Sequence, residues 1–531
     1  MRGVVTCPEY LAAFAGAEIL KAGGNAVDAA IATAFAQGVV GPKLSGIGGN
    51  GVMTVFSAAA GCAGSIRFWG TAGSKARPDE FAGELRRDGN ERVTVANQAN
   101  EVGYRSVLVP GFVRGMFQVH VQYGSGRVSW PALIAPAVRL AADGFPVDEY
   151  LYSFWRRDTQ VEDVVPPWKT LTATPACAAI YTHDGDVYRP GERLVQRDYA
   201  RTLERLAGTG ADDFYEGEIA QEIARDVLSH GGLFTLDDLR RYRSLSGEAL
   251  RGAYRGYELL SDPPPGSGAL LIEILNILER FDLRSLGWNS ARYLDLLARA
   301  FRHVFADRAR YMADPRFIDV PVGMLTSKAY AQEVASGLLS ASLRAAESVG
   351  GHEGTTHVSV MDEEGNAAAI THTVCDGSGV VVPGLGFMFN NDMQSFDPTP
   401  GRRNSIAPGK SPVNGGAPTI LLRDGVAVLA IGSPAGPRKV TAIVQTLVNM
   451  IDFGMDIEAA LAAERIHQEC GPIMVERTFP SALARELRDL GHTVRETGYT
   501  ARVAAVYRDP ATGRLTGAVD PRSGKGKAVV E

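Results

Sequence analysis

The hydrophobic and polar positions at the start of the chain predict two helices followed by a strand. Residues 8–21 place their apolar side chains on one helical face, and the same reasoning predicts a helix over residues 26–37. Two glycines end the first helix, and Asn25 is suited to cap the second. A glycine-rich loop over residues 38–51 then leads into a predicted strand over residues 52–56.

The C-terminal third has a different pattern, in which short runs of β-forming residues alternate with polar turns. Residues 356–361 and 367–374 predict a hairpin joined by the turn DEEGN. Residues 418–422 and 426–431 repeat the arrangement, and a glycine-rich turn then opens an apolar helix over residues 438–452. Helical patterns dominate the middle of the chain, so the whole predicts a layered α/β architecture.

Composition and charge narrow the class of protein. The chain has 531 residues, 45% hydrophobic and 21% charged, which is typical of globular proteins. A net charge of −6 argues against a nucleic-acid partner. No stretch of 18 apolar residues predicts a membrane span, and the N-terminus lacks the apolar core of a secretory signal. The five widely spaced cysteines include no CxxC pair, so we expect free thiols and a cytoplasmic location.

Two sequence patterns suggest a cofactor site, but neither has the features that such a site requires. GIGGNG at residues 46–51 has the spacing of a dinucleotide fingerprint, but helix, glycines and strand come in the wrong order, which predicts a turn. His357 and His372 lie on facing strands of the predicted hairpin, where they can be neighbours. Two histidines without a third ligand make a poor metal site. We therefore expect neither a metal nor another cofactor.

Two local features have the chemistry of an acyl-transfer site, and each has an ordinary structural alternative. A threonine hydroxyl is a poor nucleophile unless a base lies beside it, and cleavage before Thr355 would free an α-amine for that role. Otherwise Thr355 simply begins a strand. The turn at Ala435 and Gly436 opens a helix, where unpaired N–H groups can stabilise an oxyanion. An ordinary glycine helix start has the same pattern, so local spacing leaves both features open.

Motifs along the chain resemble, in order, those of γ-glutamyltranspeptidases. The first part of the chain contains GNAVDAA at 24–30, SGIGGNG at 45–51, VPG at 109–111 and PPPGSG at 263–268. The later part contains TTH at 355–357, DEEGN at 362–366, THT at 371–373, NN at 390–391 and GSPAG at 432–436. A single motif of this kind is weak, but the ordered set spans nearly the whole chain.

The resemblance implies an N-terminal-nucleophile hydrolase with the four-layer αββα sandwich. In that family a precursor cuts itself, which here would fall between Gly354 and Thr355. The products, residues 1–354 and 355–531, would remain together as a heterodimer. Thr355 would attack an amide of a small-molecule substrate with its own amine as the base, and Thr373 would orient it.

The same resemblance implies an oxyanion hole at the turn before the last long predicted helix. The N–H groups of Ala435 and Gly436 would donate to the oxyanion. Ala435 stands where the family usually has glycine, but a backbone donor survives that change. The resemblance implies no metal and no other cofactor.

The positions implied to contact the substrate depart from the family pattern. Trp69 occupies the place of an arginine that binds the substrate's α-carboxylate, and Cys375 replaces a glutamyl-binding asparagine. A Gln or Glu and then an Asp normally hold the α-ammonium, whereas this chain has Asp392 and Ser395. Losing one partner of a buried charge pair costs about 2–5 kcal/mol. We therefore predict that the catalytic residues are kept while γ-glutamyl recognition is not.

Two further departures from the family pattern also argue against γ-glutamyl recognition. Asn414 and Gly415 replace a serine pair, and residues 397–410 are shorter than the lid-bearing loop of typical members, which would leave the pocket open. We expect hydrolysis of a small or non-glutamyl amide, as in the family's cephalosporin acylases and oxamate amidohydrolases. Cys375 is either a pocket wall or a reactive thiol.

Two other functions remain open at this stage. A true γ-glutamyltransferase would need different anchors, such as Arg402 or Arg403 from the shortened loop. A chain that never cuts itself would be a binding protein without activity. The implied catalytic positions are all filled by chemically competent groups, which argues against the second alternative.

Overall fold

The structure is a computed structural model that describes residues 2–87, 93–157, 165–340, 354–498, 500–524 and 526–531. The helices in these ranges are α1 (Tyr10–Lys21), α2 (Ala26–Val40), α3 (Phe112–Tyr123), α4 (Trp130–Asp143), α5 (Glu149–Trp155), α6 (Pro167–Leu171), α7 (Pro175–Tyr181), α8 (Arg197–Thr209), α9 (Asp212–Tyr215), α10 (Glu218–Ser229), α11 (Leu236–Arg241), α12 (Gly268–Leu278), α13 (Leu283–Leu286), α14 (Ala291–Tyr311), α15 (Val322–Leu325), α16 (Lys328–Leu338), α17 (Arg438–Ile451), α18 (Ile457–Ala462) and α19 (Ser481–Asp489). Within these same ranges, none of the helices combines the length and the apolar character that a membrane crossing requires.

The strands form two large sheets and several small ones. They are β1 (Gly3–Cys7), β2 (Asn50–Ser57), β3 (Cys62–Phe68), β4 (Leu85–Arg87), β5 (Val93–Val95), β6 (Phe145–Pro146), β7 (Thr182–His183), β8 (Asp186–Val187), β9 (Arg193–Leu194), β10 (Leu245–Glu248), β11 (Leu250–Tyr254), β12 (Tyr257–Ser261), β13 (Thr356–Asp362), β14 (Ala367–Thr373), β15 (Thr419–Arg423), β16 (Val426–Gly432), β17 (Ile466–His467), β18 (Ile473–Glu476), β19 (Val494–Thr497), β20 (Ala504–Arg508), β21 (Leu515–Val519) and β22 (Lys527–Val530). The seven-stranded sheet has the order β10-β3-β2-β14-β13-β1-β22, and the six-stranded sheet has the order β11-β12-β15-β16-β20-β21.

Both large sheets are antiparallel, and apolar side chains cover their faces. Helices α1 and α2 pack on the seven-stranded sheet around one large core. Helices α12, α14 and α17 enclose a second core with the six-stranded sheet. A small aliphatic core that includes Met361, Ile420 and Val506 lies between the two sheets. Burial on both faces explains why central strands such as β14 and β16 read as nearly continuous apolar runs.

The predicted elements are largely confirmed. Both hairpins form, as β13–β14 and β15–β16, and Asn25 caps α2 in a reciprocal box with Asp28. Helix α2 runs three residues beyond the predicted end, to Val40. The sequence interpretation missed β1, which pairs with β13 and β22, because a five-residue apolar run has no periodicity of its own. It also missed β10, β11 and β12 within the helical middle of the chain.

The two histidines of the first hairpin do not form a pair. His357 is in register with Thr371 and His372 with Thr356, so the two rings project from opposite faces of the sheet. His357 bonds the hydroxyls of Thr371 and Ser359, at 2.9 and 2.8 Å. The expectation that the histidines are neighbours is wrong, because they lie on adjacent strands one residue out of register.

Candidate active site

Thr355 and Thr373 meet where β13 begins and β14 ends. The register of the hairpin sets them opposite each other, with 3.3 Å between their hydroxyl oxygens. The Thr355 hydroxyl contacts the carbonyl oxygen of Gly354, and the Thr373 hydroxyl donates to that same oxygen at 2.8 Å. The backbone N–H of Cys375 donates to the Thr373 oxygen at 2.6 Å, which orients this hydroxyl toward the carbonyl. We call Gly354, Thr355 and Thr373 the hydroxyl site.

Gly354 is held against the chain that follows β14. Its N–H donates to the Asp376 carboxylate at 2.9 Å, and a Cβ at this position would lie 1.6 Å from the Cys375 carbonyl oxygen. Only glycine therefore fits this packing. The close approach fixes the Gly354–Thr355 peptide beside the two hydroxyls.

The glycine motif at residues 46–51 supports the other side of this strand end. It forms a turn that leads into β2, as its sequence predicts. A Cβ at Gly49 would lie 2.3 Å from the Thr373 carbonyl oxygen. Glycine thus lets the turn pack directly on the backbone of Thr373.

The hydroxyl site is covered in the uncut chain. Thr355 is 2% exposed and Thr373 is 3% exposed. This differs from the open pocket expected from the short loop over residues 397–410, because the Gly354 carbonyl lies directly beside the two hydroxyls. Burial lowers the pKa of both His357 and His372 to about 3, so neither ring carries a charge at neutral pH.

The turn between β16 and α17 presents two unused donors. In the described part of the chain, the N–H groups of Ala435 and Gly436 donate to no other group. The turn follows Gly432 directly, and a Cβ there would lie 2.2 Å from the His357 ring, so this part of β16 packs against β13. Ala435 has a φ of 89°, a left-handed conformation that is strained for a residue with a side chain. Unused, fixed N–H donors are what an oxyanion hole requires.

Cys375, Asp392 and Ser395 form a hydrogen-bonded group that we call the acid cluster. The Asp392 carboxylate accepts from the Cys375 thiol at 3.0 Å, from the Ser395 hydroxyl at 2.6 Å and from the Asn50 side chain at 3.0 Å. Burial, reinforced by Asp392, raises the pKa of the Cys375 thiol well above its usual range. The thiol therefore stays protonated, which favours a pocket wall over a reactive nucleophile.

Trp69, Asn414 and Gly415 lie around the segment that packs against the turn at Ala435 and Gly436. Trp69 is 5% exposed, and its ring lies against Gly416, where a Cβ would be 2.7 Å from the ring. The Asn414 side chain accepts the N–H of Gly416 at 2.9 Å, so it shapes its own loop. A Cβ at Gly415 would lie 2.7 Å from the Gly436 carbonyl oxygen, which places this segment directly against the turn with the free donors.

The two loop arginines differ in their surroundings. The Arg403 guanidinium donates to the carbonyl oxygens of Tyr311 and Asp319, at 3.1 and 2.5 Å. The Arg402 side chain is exposed, and its backbone N–H donates to Ser405. Arg403 is thus engaged in holding its own loop.

Lys439 is the charged residue that sequence reasoning missed. It is the second residue of α17 and is 3% exposed, and its ammonium forms no hydrogen bond or ion pair with any described residue. Burial lowers its pKa to about 8, against the opposing influence of Cys375 and Asp392. The signal in the sequence was a lysine directly after GSPAGPR, at the start of a helix that is otherwise largely apolar on its buried face.

Comparisons with known proteins place this site in context. The chain matches the gamma-glutamyltranspeptidase family over residues 12–530. It is 38% identical to the Acylase ACY 1 proenzyme of Pseudomonas sp. strain SE83, over 97% of this chain and 91% of the relative. It is 34% identical to the glutathione hydrolase proenzyme of Escherichia coli K12, over 98% of this chain and 90% of the relative.

Solved structures agree in fold. A cephalosporin acylase from Bacillus halodurans superimposes with a TM-score of 0.86 at 29% identity, covering 99% of this chain and 95% of that one. The match therefore extends over both large sheets and their helices. With the family match across nearly the whole sequence, the chain belongs to the gamma-glutamyltranspeptidase family.

Proposed function

We propose that this chain is a self-processing N-terminal-threonine amidohydrolase that hydrolyses a small, non-glutamyl amide through an acyl-enzyme. The observation that carries the proposal is the hydroxyl site, where the Thr355 and Thr373 hydroxyls both contact the Gly354 carbonyl oxygen. A nucleophile, its target and a hydrogen-bond donor to that target are thereby assembled in the uncut chain. The antiparallel sheet pair with helices on its outer faces supports the αββα architecture of such hydrolases.

In the self-cleavage step, the Thr355 hydroxyl oxygen attacks the Gly354 carbonyl carbon. Thr373 donates a hydrogen bond to the carbonyl oxygen as negative charge develops on it. The amide nitrogen leaves and takes up the proton, which gives an ester between Gly354 and Thr355. Water then hydrolyses the ester, leaving residues 1–354 with a new carboxylate and residues 355–531 with a free α-amine. The two chains remain together as one heterodimer.

In turnover, the freed α-amine accepts the proton of the Thr355 hydroxyl, and the hydroxyl oxygen attacks the substrate amide. The N–H groups of Ala435 and Gly436 donate to the oxyanion, a role supported by their lack of other partners. The protonated amine gives its proton to the leaving amine. Water, activated by the same α-amine, then releases the acyl group. No metal or other cofactor is required for these steps.

The acid cluster and Lys439 favour a small anionic acyl group. Asp392 already accepts hydrogen bonds from Cys375, Ser395 and Asn50, which weakens it as an anchor for a substrate ammonium. Lys439 is a buried cation that forms no hydrogen bond or ion pair with a described residue, so Asp392 and Asp376 offset the cost of burying its charge only through longer-range attraction. A substrate carboxylate would pair with it directly. Trp69 narrows the space beside the site.

A true γ-glutamyltransferase is the second candidate, favoured by the 34% identity to a glutathione hydrolase proenzyme. It would use Asp392 for the substrate ammonium and Lys439 for the α-carboxylate. The two candidates differ in whether the acyl group needs an ammonium. Turnover of γ-glutamyl-p-nitroanilide with a micromolar KM would favour this second function.

The experiment is intact-mass spectrometry of the purified protein beside Thr355→Ala, followed by an amide-hydrolysis screen. We expect wild type to separate into chains 1–354 and 355–531 under denaturing conditions, while the variant stays whole. The cleaved enzyme should then hydrolyse oxamate faster than γ-glutamyl-p-nitroanilide.

Thr371→Ala is a matched control, because Thr371 lies on β14 with Thr373 but bonds His357. It should still be cleaved. A wild type that stays one chain under every condition would leave Thr355 without its base, and the uncleaved binding protein would then become the better description.

A further inference from the structure

A second group of ionisable side chains lies among helices α12, α14 and α16. Glu273 comes from α12, and His303 and Asp307 come from α14. One ligand atom from each lies within 4.8 Å of the others, and His303 Nε2 is 3.4 Å from Asp307 Oδ2. The spacing of four residues places His303 and Asp307 on one helical face.

Glu273 is the unusual member of this group. It interrupts the apolar helix GALLIEILNIL and is fully buried. In the described part of the chain, no donor reaches either of its carboxylate oxygens. A buried carboxylate without a compensating donor or cation is costly. Its neighbour Asp307 is itself an acceptor, so the two can bond only through a shared proton or a shared cation.

Asp307 is already oriented by a third helix. The Tyr330 hydroxyl of α16 donates to Asp307 Oδ2 at 2.6 Å and lies 3.4 Å from His303 Nε2. The His303 side chain is 32% exposed, so the group has an edge toward solvent. The result is two carboxylates and an imidazole around one point, reachable from outside.

We propose that Glu273, His303 and Asp307 bind a divalent transition-metal ion of the zinc class, which ties α12 to α14. One imidazole and two carboxylates are a ligand set that zinc accepts, whereas calcium and magnesium prefer oxygen ligands alone. The three side chains need only a small contraction to reach ligand distances near about 2.0–2.2 Å. A water molecule or the Tyr330 oxygen would complete four ligands. Nothing in the proposed amidohydrolase mechanism uses this site.

The competing occupant is a proton. Burial, with Asp307 beside it, raises the pKa of Glu273 well above its usual range, so without a cation the carboxyl group keeps its proton. A neutral Glu273 carboxyl group that donates to Asp307 would also lower the free-energy cost of burying it. The two arrangements predict different results when zinc is added.

The test uses the full chain, stripped with a chelator, desalted and titrated with zinc chloride. Elemental analysis after desalting should find about one bound zinc per chain. The thermal unfolding midpoint should rise by several degrees on zinc addition. A wild type that retains no zinc and shows no such rise would overturn the proposal in favour of the shared proton.

Two variants locate the ion. Glu273→Gln keeps the shape of the side chain, and His303→Ala changes a partly exposed residue, so at least one should fold. Each should lose both the bound zinc and the rise in midpoint.

His230→Ala is the matched control. His230 and Asp226 are also four residues apart on a helix, 3.5 Å apart, but without a buried third carboxylate. This variant should bind zinc like wild type. Retention of stoichiometric zinc by both Glu273→Gln and His303→Ala would place the ion elsewhere and overturn the proposal.

Discussion

The hydroxyl site and the acid cluster lie at the same end of β14 but are built differently. In the hydroxyl site, backbone groups do most of the positioning: a carbonyl of Gly354, an N–H of Cys375 and the hairpin register. In the acid cluster, side chains satisfy one another around Asp392. Cys375 belongs to both, through its N–H and its thiol.

Under the proposed mechanism, this difference would let the chemistry persist while specificity changes. A backbone donor keeps its place when side chains are replaced, so Cys375 can stand in the place of asparagine and still orient Thr373. Recognition would instead depend on side chains, and the acid cluster has a thiol at Cys375 and a hydroxyl at Ser395 where the family pattern implies an asparagine and an aspartate. The following predictions test this separation, from the largest expected effect to the smallest.

Gly354→Ala should slow self-cleavage by at least about 100-fold, the cost of displacing reacting atoms by an ångström. Its Cβ would collide with the Cys375 carbonyl oxygen and move the scissile peptide away from the hydroxyls. Intact-mass spectrometry over time measures the rate. Gly471→Ala, where a Cβ meets nothing within 4 Å, is the control and should be cleaved normally. Normal cleavage of Gly354→Ala would show that backbone packing does not position this peptide.

Thr373→Val should slow self-cleavage roughly 100-fold, as the loss of one oxyanion donor does elsewhere. The substitution keeps the shape and removes the hydroxyl that donates to the Gly354 carbonyl. Thr373→Ser retains a hydroxyl and should recover most of the rate. If the valine and serine variants were cleaved equally fast, the role assigned to the Thr373 hydroxyl would be wrong.

Lys439→Met should raise the KM for oxamate about 30-fold or more, because a buried charge pair typically contributes about 2–5 kcal/mol. The KM for oxamide, which has the same size without the charge, should change much less. Self-cleavage should be unaffected. Equal changes for both substrates would remove Lys439 from recognition and leave it a structural residue.

Lys439 should also make the affinity for oxamate depend on pH. Its pKa is lowered to about 8 by burial, so the ammonium is charged below that pH and neutral above it. The affinity for oxamate should therefore fall as the pH rises through about 8, while that for oxamide should not. His357 and His372, with pKa values of about 3, should add no step between pH 5 and 8. An oxamate profile flat across pH 8 would contradict the assignment.

Cys375→Ser should have the smallest effect, less than about 1.5 kcal/mol or roughly tenfold in kcat/KM, the usual worth of a neutral hydrogen bond. Serine still donates to Asp392, and the backbone N–H that orients Thr373 is unchanged. Complete loss of activity, with self-cleavage intact, would instead indicate a reactive thiol at this position.

Much of the fold could be predicted from the sequence where local signals are strong. The turns DEEGN and RDG between β-forming runs defined both hairpins, and Asn25 marked the start of α2. Strand β1 could not be found in this way, because its residues become a strand only by pairing with β13 and β22. The site residues were reached through ordered motifs, and their roles remain proposals.

The burial of Lys439 and the grouping of Glu273, His303 and Asp307 are two features that the sequence pattern does not predict. The residues adjacent to Lys439 in the sequence do not predict that its ammonium is buried and bonds no described residue. In the sequence, His303 and Asp307 are an ordinary pair four residues apart on a helix. Only the fold places Glu273 of α12 beside them. Both features arise from packing between segments far apart in the chain.

The sequence by itself determined the family, the order of elements in the C-terminal hairpins and the proposal that Thr355 and Thr373 are the reactive groups. These follow from local backbone preferences and from motifs whose residues are contiguous. Only the tertiary structure decided which groups are buried and paired: the Gly354 carbonyl beside two hydroxyls, Asp392 with its three donors, and the buried Lys439, which bonds no described residue. Pairing is set partly within the hairpin and partly by distant segments, since Thr373 lies 19 residues from Gly354 whereas Asn50 lies 342 residues from Asp392. Burial and pairing together control charge and pKa.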